Sequence, residues 1–511
     1  MTKSMDQLRR EAKALGRACA EGDADALMRV RAVLPGADRA LKHAQALHVI
    51  ARETGFASWP ALKAAAEARG LDHAAAQGRL RRALFHGEAL MAGRLLAERP
   101  DLAAGDAPLL VALYDVPAVA ALLARDPDLV RRPWPQRGLM CHLAFSRFHQ
   151  IAPERAGQAV EMAALLAAHG GDVNESFRYG EGDHALSALY GAIGHARHLG
   201  LARWLLDHGA DPNDGESLYH ATEFGSPDAV ALLLAHGART AGTNALPRAL
   251  DFGDIAVVRL LLEAGADPNE GVAPHPSGEP SFVIPALHQA ARRMAPPGIA
   301  ELLLDHGADP QVKALGHTPY ALARVHGNRA MADLLEARGA APPLTDVEAQ
   351  LARAADDSAE PRDWIDMASL TPELGRLLCR LVGREGALPH MRRLVAMGFD
   401  PNVTDEMDLP PVHLAGWEGL PEVMRFFLEC RPDLSHVNGY GGSLLSTILH
   451  GSENCPQRAA RDHIACARMA LEHGVALPKR APDLAAQPDM AAFLADWAED
   501  HPGQVVAHGV V

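Results

Sequence analysis

Histidine is the residue type best able to do chemistry in this sequence, because 26 copies could bind metals or transfer protons near neutral pH. His195 and His198, in the stretch GHARH, lie about one helical turn apart, a spacing that can chelate a metal. The sequence marks no third ligand near them, so we predict no metal and no cofactor. Cys141 and His142 are adjacent and would point about 100° apart on a helix, which makes them a poor chelating pair.

Five further histidines each come directly before a glycine, and this position favours a structural role. A glycine there would mark the end of a helix, where the partial negative charge of the helix dipole attracts an imidazole. We therefore predict helix-end roles for His169, His208, His236, His306 and His473.

Other catalytic patterns are missing from the sequence. It contains no Gly-x-Ser-x-Gly elbow, phosphate loop or dinucleotide fingerprint, and the glycine-rich GYGG at 439–442 is predicted to be a turn. The six cysteines, at positions 19, 141, 379, 430, 455 and 466, show neither zinc spacing nor a disulfide framework. They indicate free thiols in a reducing compartment.

The composition of the chain argues against two classes of binding partner, nucleic acids and membranes. The net charge of −15 argues against nucleic-acid binding, because a polyanion would be repelled on average. No apolar run approaches the roughly 18–20 residues that cross a bilayer, and the charged N-terminal stretch does not read as a secretory signal. We predict a cytoplasmic protein without a membrane partner.

The elements that position these residues repeat along the chain. LLDHGADPND occupies 205–214, and close copies follow at 260–270 and 302–311. The glycines of these and looser copies recur with a period of about 33 residues, which indicates an array of small units. In each unit the leucine run predicts a helix, the glycine closes it, and Asp-Pro-Asn forms a turn. A second helical pattern precedes each copy, and one such unit must stack on neighbours to bury its apolar face.

These sequence patterns resemble the ankyrin repeat. The first helix of that repeat begins with Thr-Pro-Leu-His-x-Ala, and its second helix ends with Leu-Leu-x-x-Gly-Ala-Asp. The stretch GHTPYALA at 316–323 carries Thr318 and Pro319 in place, and the resemblance covers about 107–339 and 371–477. It implies an all-α ankyrin-repeat solenoid with helical caps at both ends. It also implies hydrogen bonds to the backbone of a neighbouring repeat for the histidines at the family's histidine position, which are His142, His220, His288 and His413.

Breaks in the period predict the domain organisation. Residues 1–70 resemble an N-terminal helical module found ahead of ankyrin arrays in bacterial proteins, and act as a cap or as a partner-binding module. The main repeat block, 71–344, carries long hairpin insertions at 171–186 and 270–285. These hairpins either project from the array as functional loops, which we call hairpin fingers, or are insertions that the fold merely tolerates. An irregular helix pair at 345–370, a second repeat block at 371–477 and a C-terminal helical cap and tail at 478–511 complete the chain.

The resemblance also implies a concave groove, into which the residues after the paired alanines of each first helix point. Its mixture of aromatic and charged residues is typical of a binding surface. Carried over by position, the predicted partner contacts are Arg147, His195, Phe224, Asp251, Phe252, Arg292, Arg293, His326, Trp417 and Glu418.

Two functions remain open at this point. The leading hypothesis is a non-catalytic scaffold that binds another protein through its groove and hairpin fingers. The alternative is an enzyme or small-molecule-binding protein with a pocket in the groove, where an acid–base pair and an arginine anchor would come from Tyr190, His195, Glu223, Asp251 and Arg292.

Overall fold

The computed structural model describes residues 3–39, 41, 43–178, 184–270, 284–357, 364–485 and 487–507. Most of the predicted insertion at 270–285 and the tip of the one at 171–186 therefore lie outside the described residues, as does part of the predicted helix pair at 345–370. Within the described ranges, every helix is too short or too polar to span a bilayer.

The first four helices of the chain share an apolar core, and we call them the N-terminal module. Ser58 caps the last of them by accepting a hydrogen bond from the amide of Ala61, as its sequence predicts. The helices are α1 (Met5–Glu21), α2 (Ala24–Val33), α3 (His43–Glu53) and α4 (Trp59–Arg69).

Short helices arranged in pairs make up the main array. They are α5 (His73–His86), α6 (Ala89–Glu98), α7 (Ala107–Ala112), α8 (Val116–Arg125), α9 (Leu139–Ala144), α10 (Phe148–Ile151), α11 (Ala156–Ala168), α12 (Ala188–Tyr190), α13 (Leu199–Asp207), α14 (Ser217–Ala221), α15 (Asp228–Ala235), α16 (Ala245–Phe252), α17 (Ile255–Glu263), α18 (Ala286–Arg292), α19 (Pro297–Asp305), α20 (Pro319–His326) and α21 (Arg329–Ala337). A π-helical turn, Gly191–His195, extends α12.

The remaining helices continue the array to the C-terminal region. They are α22 (Asp346–Ala355), α23 (Pro372–Gly375), α24 (Leu377–Leu381), α25 (Leu388–Ala396), α26 (Pro411–Glu418), α27 (Pro421–Glu429), α28 (Leu444–Asn454), α29 (His463–Glu472), α30 (Ala481–Leu484) and α31 (Pro488–Asp500). Isolated 3-10 turns lie between helices at Pro127–Arg131, Pro153–Arg155, Thr222–Phe224, Met367–Ser369, Arg458–Ala460 and Pro502–Gln504.

Two small β-ladders accompany the helices. Strand β1 (Ser176–Arg178) pairs antiparallel with β2 (Ala185–Ser187), with Phe177 opposite Leu186, at the base of the predicted 171–186 hairpin. Strand β3 (Leu477–Pro478) pairs parallel with β4 (Val505–Val506).

The helices stack in two parallel series. The first helices of successive pairs (α5, α7, α9, α12, α14, α16, α18 and α20) contact one another in order, and we call them the inner helices. The second helices, from α8 and α11 through α13, α15, α17, α19 and α21, form the outer series. The predicted stacking of short helix pairs is confirmed.

The recurring residues at the helix ends have the local structure that their chemistry predicts. Gly209, Gly265 and Gly307 have φ values of 95°, 89° and 89°, which is the left-handed conformation that ends a helix. The histidines before Gly209 and Gly307, which are His208 and His306, each turn Nδ1 to the carbonyl four residues earlier, at 2.8 Å. The same contact occurs at the other three predicted helix-end histidines, His169, His236 and His473.

The asparagine of the loop joins one repeat to the next. Asp211 accepts the amide of Asn213 and so closes the turn. The side chain of Asn213 then accepts the amide of Arg239 and donates to the carbonyl of Gly237, both in the following repeat. Asn174 and Asn269 make the same pair of contacts with their own next repeats. The aspartate and asparagine of the loop therefore stabilise both the turn and the stacking of neighbouring repeats.

Three apolar cores lie along the chain. The largest runs from Ala64 of α4 to Ala340, and a second runs from Val325 of α20 to Leu494 of α31. The two cores adjoin where α20 packs against α22, so the repeats before and after residue 345 form one continuous succession of contacts. The third core is that of the N-terminal module.

The last helix, α31, packs against helices of the N-terminal module. Ala492 of α31 is part of the N-terminal core, and α31 packs against α3 as well as against α29. Lys13 of α1 forms ion pairs with Glu499 and, at 3.4 Å, with Asp496. The N-terminal module and the C-terminal helix therefore cover each other, and the succession of helix contacts closes on itself.

Candidate functional site

The inner helices approach one another across the face where the groove is predicted. Phe85 of α5 and His195 of the π turn belong to repeats that are not neighbours, yet their ring centroids are 4.1 Å apart. The Nε2 atom of His195 also lies 2.8 Å from the carbonyl oxygen of Phe85. The predicted groove is therefore filled at this point by side chains of the protein itself.

An aromatic cluster surrounds this crossing. Phe145 lies at its centre, with ring centroids 6.0 Å from Phe85, 5.1 Å from Phe177 and 5.9 Å from Tyr190. Gly191 is needed here because a Cβ atom at this position would overlap the Phe145 ring. The cluster fixes the half-buried Tyr190 between two neighbouring repeats.

Arg147 and His195 are both half-buried at the edge of this cluster. The Nε atom of Arg147 donates to the carbonyl of His195 at 3.1 Å. Burial and the nearby Arg147 charge lower the pKa of His195 to about 4, so its imidazole is neutral at pH 7. Both predicted contacts are engaged mainly with the protein's own backbone.

A strip of paired charges continues along the inner face from Tyr190. The Tyr190 ring lies 5.1 Å from that of His220, whose nitrogens are 3.0 Å from Glu216 and 3.3 Å from Glu223. His184 also pairs with Glu216, at 3.1 Å. Burial lowers the pKa of His220, but the hydrogen bonds to Glu216 and Glu223 outweigh it and raise the pKa to about 9. His220 is therefore a cation at neutral pH.

Arg248 lies at the centre of this strip. It is not among the contacts predicted from the sequence. Its guanidinium binds Glu223 at 2.8 Å and Asp251 at 3.1 Å, and it lies 4.9 Å from the ring of Phe252. Burial raises the pKa of Glu223, but its bonds to His220 and Arg248 outweigh this effect and lower it. The spacing of Arg248 three residues before Asp251 on a helix is the signal that could have revealed the pair.

Asp251 extends the strip to the next repeat, where it accepts from the Gln289 amide at 2.6 Å and from Arg293 at 2.7 Å. Phe252 follows Asp251 and is 48% exposed. Ile255 and Met294, in this turn and the corresponding turn of the next repeat, are 42% and 40% exposed. Three apolar side chains therefore lie open to solvent beside a strip of paired charges. We call the strip together with these three residues the inner patch.

The structure buries two of the predicted contacts. Arg292 is 5% exposed and pairs with Glu373 at 2.6 Å, and His326 is 2% exposed. Arg384 covers both by donating hydrogen bonds to the backbone carbonyls of Arg292 and His326. A partner cannot reach either side chain in this structure, because residues about 50–90 positions later in the chain pack over them.

The other predicted contacts lie at two places. Phe224 is half-buried under the guanidinium of Arg197, 4.9 Å from its ring centroid. Trp417 is half-buried near the end of α26, and its carbonyl accepts from Nε2 of His463 at 2.9 Å. Burial raises the pKa of the neighbouring Glu418, whose carboxylate lies near the thiol of Cys455.

The histidines suspected of metal binding point to different backbone groups. Nε2 of His195 faces the carbonyl of Phe85, whereas Nε2 of His198 lies 3.1 Å from the carbonyl of Ala156. In the described part of the chain, no group of three or more histidine, cysteine or acidic side chains could hold a metal ion.

The histidines at the family position differ in their contacts. Nε2 of His288 lies 3.1 Å from the carbonyls of Val312 and His317, as expected. The expectation is wrong for His220, which binds carboxylates instead. His413 meets a side chain, the hydroxyl of Thr447, at 3.3 Å.

Comparison with known proteins identifies ankyrin repeats in part of the chain. A family model described as ankyrin repeats, in three copies, matches residues 192–271. The ankyrin repeat protein nuc-2 of Neurospora crassa is 31% identical over 151 residues, which is 26% of this chain and 13% of that protein. The chain thus matches only a small part of that relative's length. The segment 192–271 consists of ankyrin repeats, and the predicted all-α repeat fold is confirmed.

Two solved structures are similar over about half of this chain. The ankyrin repeat domain of Bcl-3, a member of the IkappaB family, is 24% identical with a TM-score of 0.34, covering 45% of this chain and 99% of that one. The human ASB11 ankyrin repeat domain is 19% identical with a TM-score of 0.22, covering 50% of this chain and 96% of that one.

Proposed function

We propose that this chain is a non-catalytic scaffold that binds another protein through its inner face. The observation that carries the proposal is the exposure of Phe252 beside Arg248 and Arg293. Aromatic and arginine side chains dominate the binding energy of protein interfaces. Ankyrin repeats are in general protein–protein interaction modules, although a fold alone does not fix a function.

The proposed contact surface is the inner patch. Phe252, Ile255 and Met294 supply apolar area that water now covers, while Asp251 and Arg293 supply charges at its edge. Apolar side chains grouped in this way on a surface signal an interaction site. Phe224 extends the surface along the inner face on one side. The proposed surface does not include Arg147 and His195, which contact the protein's own backbone, or the buried Arg292 and His326.

Trp417 and Glu418 form a second, smaller part of the proposed surface. Both are half-buried on α26, and Trp417 presents part of its indole to solvent. Their contribution is tested separately, because they lie on a different inner helix from the patch.

The contacts of the candidate catalytic residues favour a scaffold over an enzyme. Glu223 pairs with Arg248 and His220, and Asp251 pairs with Arg248 and Arg293. The buried Arg292 pairs with Glu373. A general base needs a free lone pair within reach of its substrate at the working pH. The protonated His220 cannot accept a further proton, and the ion pairs that lower the pKa of Glu223 make it a weaker base.

The test is affinity capture from a lysate of the protein's own cells, followed by binding assays with the purified captured protein. We expect Phe252→Ala to weaken binding by about ten-fold or more, since truncating an aromatic anchor removes about 2 kcal/mol or more of binding energy. Met28→Ala is the control, because Met28 is 66% exposed on α2, away from the patch. Trp417→Ala measures the second part of the surface.

Stability separates a contact from a core residue. The melting temperature of Phe252→Ala is expected to stay near that of the wild type, because substitutions at exposed positions usually change stability by less than about 0.5 kcal/mol. Unchanged capture by Phe252→Ala, or a large loss of stability with normal binding, would overturn the proposal.

A further inference from the structure

A cavity of about 580 Å³ lies beside the aromatic cluster, between the first inner helices and strand β1. Its apolar wall consists of Phe85, Phe145 and Phe177. Its polar lining includes Arg81, Arg82, Arg137 and Arg178, and among the described residues that line it none is an aspartate or a glutamate. A volume of this size suits a small organic molecule.

Arg137 is the central cation of this cavity. Its guanidinium carbon lies 4.7 Å from the ring centroid of Phe85, 4.8 Å from that of Phe177 and 5.4 Å from that of Phe145. Its Nε atom is buried and has no hydrogen-bond partner. Arg137 is half-buried, and among the described residues no carboxylate pairs with it.

The surrounding groups leave this positive charge uncompensated. Arg81 is paired with Asp106, and the carboxylate of Glu175 accepts the backbone amides of Met140 and Cys141. Burial lowers the pKa of His142 to about 3, and the charges of Arg137 and Arg81 add to this effect. The Nε2 atom of His142 is buried without a hydrogen-bond partner. The exposed Arg82 and His86 lie on the more open side of the cavity.

We propose that this cavity binds a small aromatic molecule that carries a phosphate or a carboxylate. The anionic group would accept hydrogen bonds from the guanidinium of Arg137, whose fork geometry matches both oxyanions. The aromatic part of the ligand would pack against the three phenylalanine rings. The proposal does not depend on protein binding, because the cavity and the inner patch are lined by different residues.

The experiment is titration calorimetry of the full chain with phenyl phosphate and with benzoate. Inorganic phosphate supplies the charge without the ring, and benzyl alcohol supplies the ring without the charge. We expect phenyl phosphate or benzoate to bind at least about ten-fold more tightly than either comparator, because both interactions contribute. Binding is expected to weaken as ionic strength rises. The tighter of the two anions identifies the oxyanion that the cavity prefers.

Arg137→Gln tests the role of the central cation, and it is expected to weaken binding by about ten-fold or more. Arg338→Gln is the matched control, since Arg338 pairs with Glu301 and Asp305 on the surface. If Arg137→Gln does not give the wild-type circular dichroism spectrum, Arg82→Gln takes its place, because Arg82 is exposed.

Four results would overturn the proposal. They are no binding of either aromatic anion at millimolar concentration, unchanged binding in the folded cavity variant, equally tight binding of inorganic phosphate, and much tighter binding of a phosphotyrosine peptide than of phenyl phosphate. The last result would assign the cavity to a modified protein rather than to a small molecule.

Discussion

His220 allows a quantitative test of the charge strip on the inner face. Its imidazole is held between Glu216 and Glu223, and its pKa is about 9 in the folded protein against the ordinary value of 6.5. At about 1.36 kcal/mol for each pKa unit, this difference corresponds to about 3 kcal/mol of stabilisation by the charged form.

The direction of the pH dependence follows from the raised pKa. Below pH 6.5 the imidazole is protonated in both the folded and the unfolded chain, so the stabilisation is fully present. Between pH 6.5 and about 9 the unfolded chain loses this proton while the folded chain retains it. The stabilisation therefore falls across that window, and it is absent at higher pH.

The perturbation is His220→Gln, which keeps hydrogen-bonding capacity but removes the charge. We expect the wild type to exceed this variant in free energy of unfolding by an amount that decreases by about 3 kcal/mol across the window. Guanidinium unfolding followed by circular dichroism, repeated at a series of pH values, measures this difference. NMR titration of the His220 ring measures the pKa itself.

Two results would refute the reasoning. One is a His220 ring that titrates at or below 6.5 in the folded protein. The other is a difference between wild type and His220→Gln that does not change with pH. His208→Gln controls for the loss of an imidazole elsewhere, because the His208 ring packs on Trp204 at a distance of 3.9 Å.

Three further predictions concern the packing. Gly451→Ala is expected to destabilise the protein by about 1–3 kcal/mol in chemical denaturation, because the added methyl group would overlap the backbone of Trp417. Glu373→Ala is expected to cost about 3–5 kcal/mol by the same measurement, because it removes the carboxylate that pairs with the buried charge of Arg292. Ala492→Glu is expected to speed hydrogen exchange in α1 and α3, because it places a carboxylate in the N-terminal core.

Each of these variants has a matched control elsewhere in the chain. Gly375→Ala should change stability by less than about 0.5 kcal/mol, because the space around Gly375 is open. Glu301→Ala should cost no more than about 1 kcal/mol, since its ion pair with Arg338 is on the surface. Leu484→Glu adds the same carboxylate at an exposed position of α30 and should leave exchange in α1 and α3 unchanged. Equal effects of a variant and its control would contradict the corresponding prediction.

The local structure of the repeats could be predicted from the sequence because its causes are local. The helix-end hydrogen bonds of a histidine and a glycine are made to the preceding turn, as His208 and Gly209 show. The role of Asn213 in joining two repeats was not predicted, because it depends on the distance to the next loop. Its recurrence at the same place in several copies was the available signal.

The inner face was harder to predict because its contacts are distant in sequence. Phe252 carries the exposure expected of a groove residue, whereas Arg292 and His326 are covered by Arg384. That contact depends on how strongly the array curves, which no single repeat encodes. The same curvature brings Phe85 to His195 and creates the arginine-lined cavity, whose residues come from several repeats.

The contact between α31 and the N-terminal helices constrains how such a chain can evolve. An open row of repeats tolerates the gain or loss of a unit, because each unit touches only its neighbours and the row simply becomes longer or shorter. Here an extra helix pair would force apart Ala492 and the core into which it packs, along with the Lys13 ion pairs. The number of units is therefore fixed by closure, and variation between descendants of this protein should be confined to loops and side chains.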